Sequence, residues 1–234
     1  MPPETAAPDL LLERAAAHLD AGDPEAAVRL LEARLRASPG DRAALNNLAC
    51  CHLSLGRPAE ALDLLEDAAV RWPEDPCLLN NLGFARLRAE APAEAEEAFR
   101  RSLALAPGDP ETLNNLGLAL AARGRWLEAV ESYRAALAGL GARPVGAVAA
   151  DLLNNLGCAY REIGMLSDAA TVFRRARALA PEDPEIANNL GCTTLALGAL
   201  AEARDALAHA VRLAPGDAVI RENFRRCQAP DAGA

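Results

Sequence analysis

The tripeptide Asn-Asn-Leu occurs five times, beginning at Asn46, Asn80, Asn114, Asn154 and Asn188. The steps between them are 34, 34, 40 and 34 residues. A fixed period of this length marks an array of supersecondary units, each too small to bury its apolar face alone. Other landmarks keep the same phase. A small residue follows each Leu (Ala49, Gly83, Gly117, Gly157, Gly191), and twelve residues on comes an alanine (Ala61, Ala95, Ala129, Ala169, Ala203). Four further on stands a large apolar residue: Leu65, Phe99, Tyr133, Phe173 or Leu207. Prolines close most units, at Pro39, Pro73, Pro107, Pro181 and Pro215.

Within a unit, Leu45, Leu48 and His52 recur at helical spacing, so the first half of each unit is an amphipathic helix. A second helix follows, for example Ala93 to Leu105. Aromatics make up only 3% of the chain against 51% hydrophobic residues. The core must therefore be built from Ala and Leu, which favours close-packed helices over sheets. The small residue and the alanine let the two helices of a unit approach, where a bulky side chain would overpack. Gly56, Gly124, Gly164 and Gly198 fit the left-handed position that ends a first helix. Asp75-Pro76, Asp109-Pro110 and Asp183-Pro184 read as an N-cap before a first-turn proline.

These landmarks resemble the tetratricopeptide repeat family. The unit around Asn154 matches best, with Leu153, Leu156-Gly157, Tyr160, Ala169, Phe173 and Pro181 at the family's spacings. Leu stands for the family's usual Trp at the fourth position, and the eleventh-position Tyr is lost at His52, Arg86, Leu120 and Thr194. The resemblance implies an all-α fold, a right-handed α-solenoid of six helix pairs over 8–41, 42–75, 76–109, 110–149, 150–183 and 184–217. A more polar helix at 218–228 would cap it, because the last repeat otherwise exposes its apolar face. Residues 1–7 and 229–234 are expected to be disordered tails flanking this single solenoid. The long step falls at Ala138 to Ala149, rich in Gly139, Gly141, Pro144 and Gly146. It reads as a surface insertion, or as a hinge or loop over the groove.

The resemblance also implies that first helices line a concave groove, with the fifth, sixth and ninth residues of each unit facing it. The fifth and sixth are Asn46/Asn47, Asn80/Asn81, Asn114/Asn115, Asn154/Asn155 and Asn188/Asn189. Asn is a mediocre helix former, so its repetition on exposed helix calls for a reason. Its amide offers donors and an acceptor in one plane and can pair with the backbone of an extended peptide, whatever that peptide's side chains. This is similar to the asparagine ladder of some peptide-binding members. The alternative is that the asparagines tie one repeat to the next. Phe84 and Leu118 would add apolar contacts, and Glu111, Asp151 and Glu185 would meet basic ligand residues or simply favour the helix dipole. A different subfamily clamps a carboxylate with Lys, Arg and Asn. That use is disfavoured here, since the chain has no lysine and its ninth positions are Cys50, Phe84, Leu118, Cys158 and Cys192.

Charge and composition narrow the function. Subtracting 33 Asp+Glu from 24 Lys+Arg leaves −9, a balance that opposes binding to phosphate backbones. Without lysine there is no phosphate-loop or Schiff-base lysine, and His18, His52 and His209 lie far apart. No catalytic residues, metal site or cofactor are expected. No export signal or membrane span is read, so the expected setting is cytoplasmic, with Cys50, Cys51, Cys77, Cys158, Cys192 and Cys227 as reduced thiols. The expected function is a non-catalytic adaptor for an extended peptide or partner protein, one bearing basic residues in places. The other candidate is a structural scaffold that docks through convex faces or terminal repeats.

Overall fold

A computed structural model describes residues 8–141 and 146–228. The expected tails 1–7 and 229–234, and Pro144 of the long step, lie outside the described residues. Thirteen α-helices and no strand occur among the described residues, forming an all-α solenoid of antiparallel helix pairs. The chain divides into two compact units, one ending at Pro107 and the other beginning at Gly108.

The first unit holds α1 (Pro8–Asp20), α2 (Pro24–Ala37), α3 (Arg42–Ser54), α4 (Pro58–Arg71), α5 (Pro76–Arg88) and α6 (Pro92–Leu105). Capping chemistry explains where these helices begin. Asp41 accepts from the Ala44 amide at 3.0 Å, and Asp75 accepts from the amides of Cys77 and Leu78. Each satisfies donors that a helix start leaves orphaned. The core is a run of Ala and Leu: Ala15, Ala27, Leu31, Ala44 and Leu48, then Ala61, Leu65, Leu78 and Leu82.

The second unit holds α7 (Pro110–Ala122), α8 (Trp126–Gly139), α9 (Ala147–Glu162), α10 (Leu166–Leu179), α11 (Pro184–Ala196), α12 (Leu200–Leu213) and the single helix α13 (Ala218–Gln228). Helix α13 buries Ile220 against Ala187 and Ala210, and Cys227 against Ala203 and Leu207. On the second helices, Arg174 grips Glu202 through two bonds of 2.7 Å and Arg177 meets Asp205 at 3.1 Å, so α10 is tied to α12.

Packing inside the pairs shows what the small residue of the first helix meets. Its tight neighbour is the large residue four positions after the alanine. A Cβ on Gly83 would stand 2.6 Å from the Phe99 ring, on Gly117 2.4 Å from Tyr133, and on Gly157 2.6 Å from Phe173. The glycine is thus the seat of an aromatic ring. The expected left-handed stops are present, with φ of 69° at Gly56, 71° at Gly124, 81° at Gly164 and 75° at Gly198. Gly22 between α1 and α2 takes the same conformation at φ 73°, and between α5 and α6 this position is Glu90, held at φ 61° without a glycine's freedom.

Candidate functional site: the asparagine rows

Helices α3 and α5 in the first unit, and α7, α9 and α11 in the second, carry the paired asparagines. Their side chains bond to one another across repeats. In the first unit, Nδ2 of Asn81 donates to Oδ1 of Asn46 at 2.6 Å. In the second, Asn155 donates to Asn114 at 3.0 Å and Asn189 to Asn154 at 3.0 Å. Asn223 of α13 continues the row, donating to Asn188 at 2.9 Å. The second asparagine of one pair therefore reaches back to the first asparagine of the pair before. Asn223 was legible in the sequence, standing 34 residues after Asn189, but the doubled motif is absent there.

Each rung fixes two amide planes. It occupies Oδ1 of the first asparagine and one hydrogen of the second. The Nδ2 groups of Asn46, Asn114 and Asn188 have no hydrogen-bond partner among the described residues, whereas Asn154 donates to Glu185 at 3.2 Å. Second asparagines have further neighbours. Asn81 and Asn189 approach the thiols of Cys50 and Cys158 at 3.5 and 3.7 Å, and Asn189 also accepts from Arg161 at 3.3 Å. Asn47 makes no rung: the residue 35 before it, where an acceptor would stand, is Leu12. Asn80, Asn115 and Asn189 are buried; Asn46, Asn47, Asn81, Asn114, Asn154, Asn155 and Asn188 are half-buried.

The other candidate residues divide by chemistry. Phe84 is half-buried and packs on the Leu78–Leu82 core, so part of its ring serves the fold. Leu118 is half-buried, and Glu111, Asp151 and Glu185 are exposed. A cavity of about 450 Å³ in the second unit brings three of the candidates together: Glu111, Asn114 and Asp151. Asp109, Pro110, Leu140, Val148 and Leu152 complete its polar and apolar sides. Burial pushes the Asp151 carboxyl above its ordinary value, and the negative charges of Asp183 and Glu185 add to the shift. Three thiols of the first helices sit in the opposite regime from reactive cysteines. Burial, then the neighbouring Cys50, lifts Cys51 to about 11, and burial lifts Cys158 and Cys192.

Two tetratricopeptide repeat family profiles match the chain, one over residues 12–76 and 154–218 and the other over 108–182. The chain belongs to the tetratricopeptide repeat family. Repeats of this family generally mediate protein–protein interactions and typically serve as non-catalytic scaffolds. Solved structures share the fold. The tetratricopeptide chain is similar to one in the APC/C hetero-tetramer Cut9–Hcn1, with a TM-score of 0.88, 19% identity and 97% of this chain covered. It spans 44% of the length of that chain. PilW, a type IV pilus biogenesis factor, gives a TM-score of 0.82 at 19% identity, with 96% of this chain and 100% of that one covered. PilF of Pseudomonas aeruginosa gives 0.77 at 16% identity, covering 94% and 96%. Identities this low show the fold alone. A search of curated proteins by sequence finds no match. Among the described residues, no helix is long and apolar enough to cross a membrane.

Proposed function

We propose that this tetratricopeptide repeat protein is a non-catalytic adaptor that holds an extended segment of a partner protein against its first helices. One observation carries the reading. The rungs use Oδ1 of Asn46, Asn114 and Asn188 and leave their Nδ2 groups without a protein partner. An amide whose plane is already fixed loses little freedom on meeting a ligand carbonyl, which favours binding. In this reading the first asparagines touch the partner's backbone, and Asn47, Asn81, Asn115, Asn155 and Asn189 stand beside them, most of them orienting the row. Phe84 and Leu118 give apolar contact, while Glu111, Asp151 and Glu185 favour basic residues in the bound segment.

The experiment selects peptides on the wild-type protein from a random display library and measures their affinity by fluorescence anisotropy. Asn46→Asp and Asn188→Asp keep the Oδ1 acceptor that each rung needs and remove the Nδ2 donors. Losing two neutral hydrogen bonds should weaken the selected peptides about tenfold. A basic peptide would bind more tightly if charge alone mattered, so weakening is diagnostic. Unchanged or tighter binding overturns the reading.

A further inference from the structure

The long step between the fourth and fifth pairs has a structural consequence. Helix α9 starts at Ala147, three residues before position 150, where the phase of Pro110 and Pro184 would start it. It has no side-chain N-cap, the Asp-Pro start of its counterparts being replaced by Gly146 at φ 84°. The early start adds most of a turn bearing Val148, which is 63% exposed. Leu140, at the end of α8, comes from the same irregular stretch. Both side chains line the 450 Å³ cavity beside Glu111, Asn114 and Asp151. The size lies within the ~300–1,000 Å³ range of ligand clefts.

We propose that this pocket takes the side chain of an arginine or lysine in the partner segment, its stem on Val148, Leu140 and Leu152 and its cation against Asp151. The proposal rests on the groove-binding reading and names what one residue of the segment must be. Long cationic side chains lay their methylenes on apolar surface while the head stays polar, and this cavity offers both surfaces. A metal ion is a poorer match. It needs several convergent oxygen, nitrogen or sulfur ligands, and no group of three or more His, Cys, Asp or Glu among the described residues could hold one. Asp109 is committed to the fold, since its Oδ2 accepts from the Thr112 amide at 2.8 Å and the Thr112 hydroxyl at 2.6 Å. Asp151 differs: it stands among Asp183 and Glu185, and no cation pairs with it among the described residues. Asn114 completes the match, because its Nδ2 can donate to the backbone carbonyl of the same bound residue.

The test is a nuclear magnetic resonance titration of the full chain with N-acetyl-arginine methylamide, the lysine equivalent and the neutral isostere N-acetyl-citrulline methylamide. The arginine and lysine probes should saturably shift amide signals within 109–114 and 147–152, and citrulline should bind at least about fivefold more weakly. Asp151→Asn, an isosteric change, should weaken arginine about tenfold without lowering the melting transition. Equal binding of the three probes, shifts elsewhere, or no effect of Asp151→Asn overturns the proposal. The two readings fail separately. Selected peptides that bind Asp151→Asn as well as wild type sink the pocket and spare the groove. A saturable arginine titration with no selectable peptide sinks the groove reading and spares the pocket.

Discussion

The rung between Asn155 and Asn114 should be worth about 1 kcal/mol to the stability of the second unit. Its length is 3.0 Å and both residues are half-buried, so it resembles an ordinary neutral hydrogen bond and not an exposed one. Asn155→Ala removes the bond, at about 0.5–1.5 kcal/mol, and gains up to about 0.7 kcal/mol of helix propensity. The single variant is therefore destabilised only modestly. Asn47→Ala provides the internal standard, because no asparagine stands 35 residues before it. That variant gains propensity, loses no rung, and should be stabilised by up to about 0.7 kcal/mol. A double-mutant cycle over Asn114→Ala and Asn155→Ala isolates the bond. Urea unfolding followed by circular dichroism should return a coupling of about 0.5–1.5 kcal/mol. A coupling below about 0.3 kcal/mol, within the additivity of independent sites, would refute the rung. So would an Asn47→Ala variant as damaged as Asn155→Ala.

Gly117→Leu drives a side chain into Tyr133, which already lies 2.4 Å from an added Cβ. Overpacking of about 1–3 kcal/mol should lower the melting temperature by several degrees in calorimetry, and an unchanged melt would mean the pair is not packed this way. Glu90→Gly relieves a left-handed residue at φ 61° and should raise stability by about 0.5–1 kcal/mol in urea titrations, after the entropy cost of glycine. Hydrogen bonds from Arg174, opposed by some burial and aided by its charge, hold the Glu202 carboxyl below its ordinary value. A depressed carboxyl contributes stability that is present above its unfolded pKa and lost as pH falls through the folded one. Glu202→Gln should therefore lower the urea midpoint at pH 7, by the equivalent of about 0.2–1 kcal/mol for a partly exposed pair, and the difference should shrink as pH falls below the ordinary carboxylate range. Asp151 carries the opposite sign. Its carboxyl is raised by burial and then by Asp183 and Glu185, so protonation on acidification relieves the folded state, and Asp151→Asn should stabilise at pH 7 and lose that advantage at low pH.

What the chain's order of residues determined by itself is the repeating part. The 34-residue step, the Asp-Pro starts, the glycine stops and the Ala-rich stripe each act over a turn or two of backbone, and φ/ψ preference and helical spacing make such signals local. They specify the helix pairs and the second-unit capping helix, and the family with them. Tertiary structure decided which groups meet across repeats. From sequence alone the ten asparagines had two equal uses, partner contact or repeat bridging. The bridging bonds emerge only once stacking sets one first helix beside the next, pairing side chains 35 or 41 residues apart. Packing within a pair also seats the Phe99 ring on Gly83, because side chains on a helix lean toward the preceding turn and meet the opposite helix there. Most plainly, the six extra residues after Ala138 read as a loop. In the fold part of them becomes an added turn of α9, and Val148 and Asp151, three residues apart and so on one helical face, come to line a single cavity. A helix's start depends on which neighbours shelter its first turn, and no local signal at Gly146 announced that.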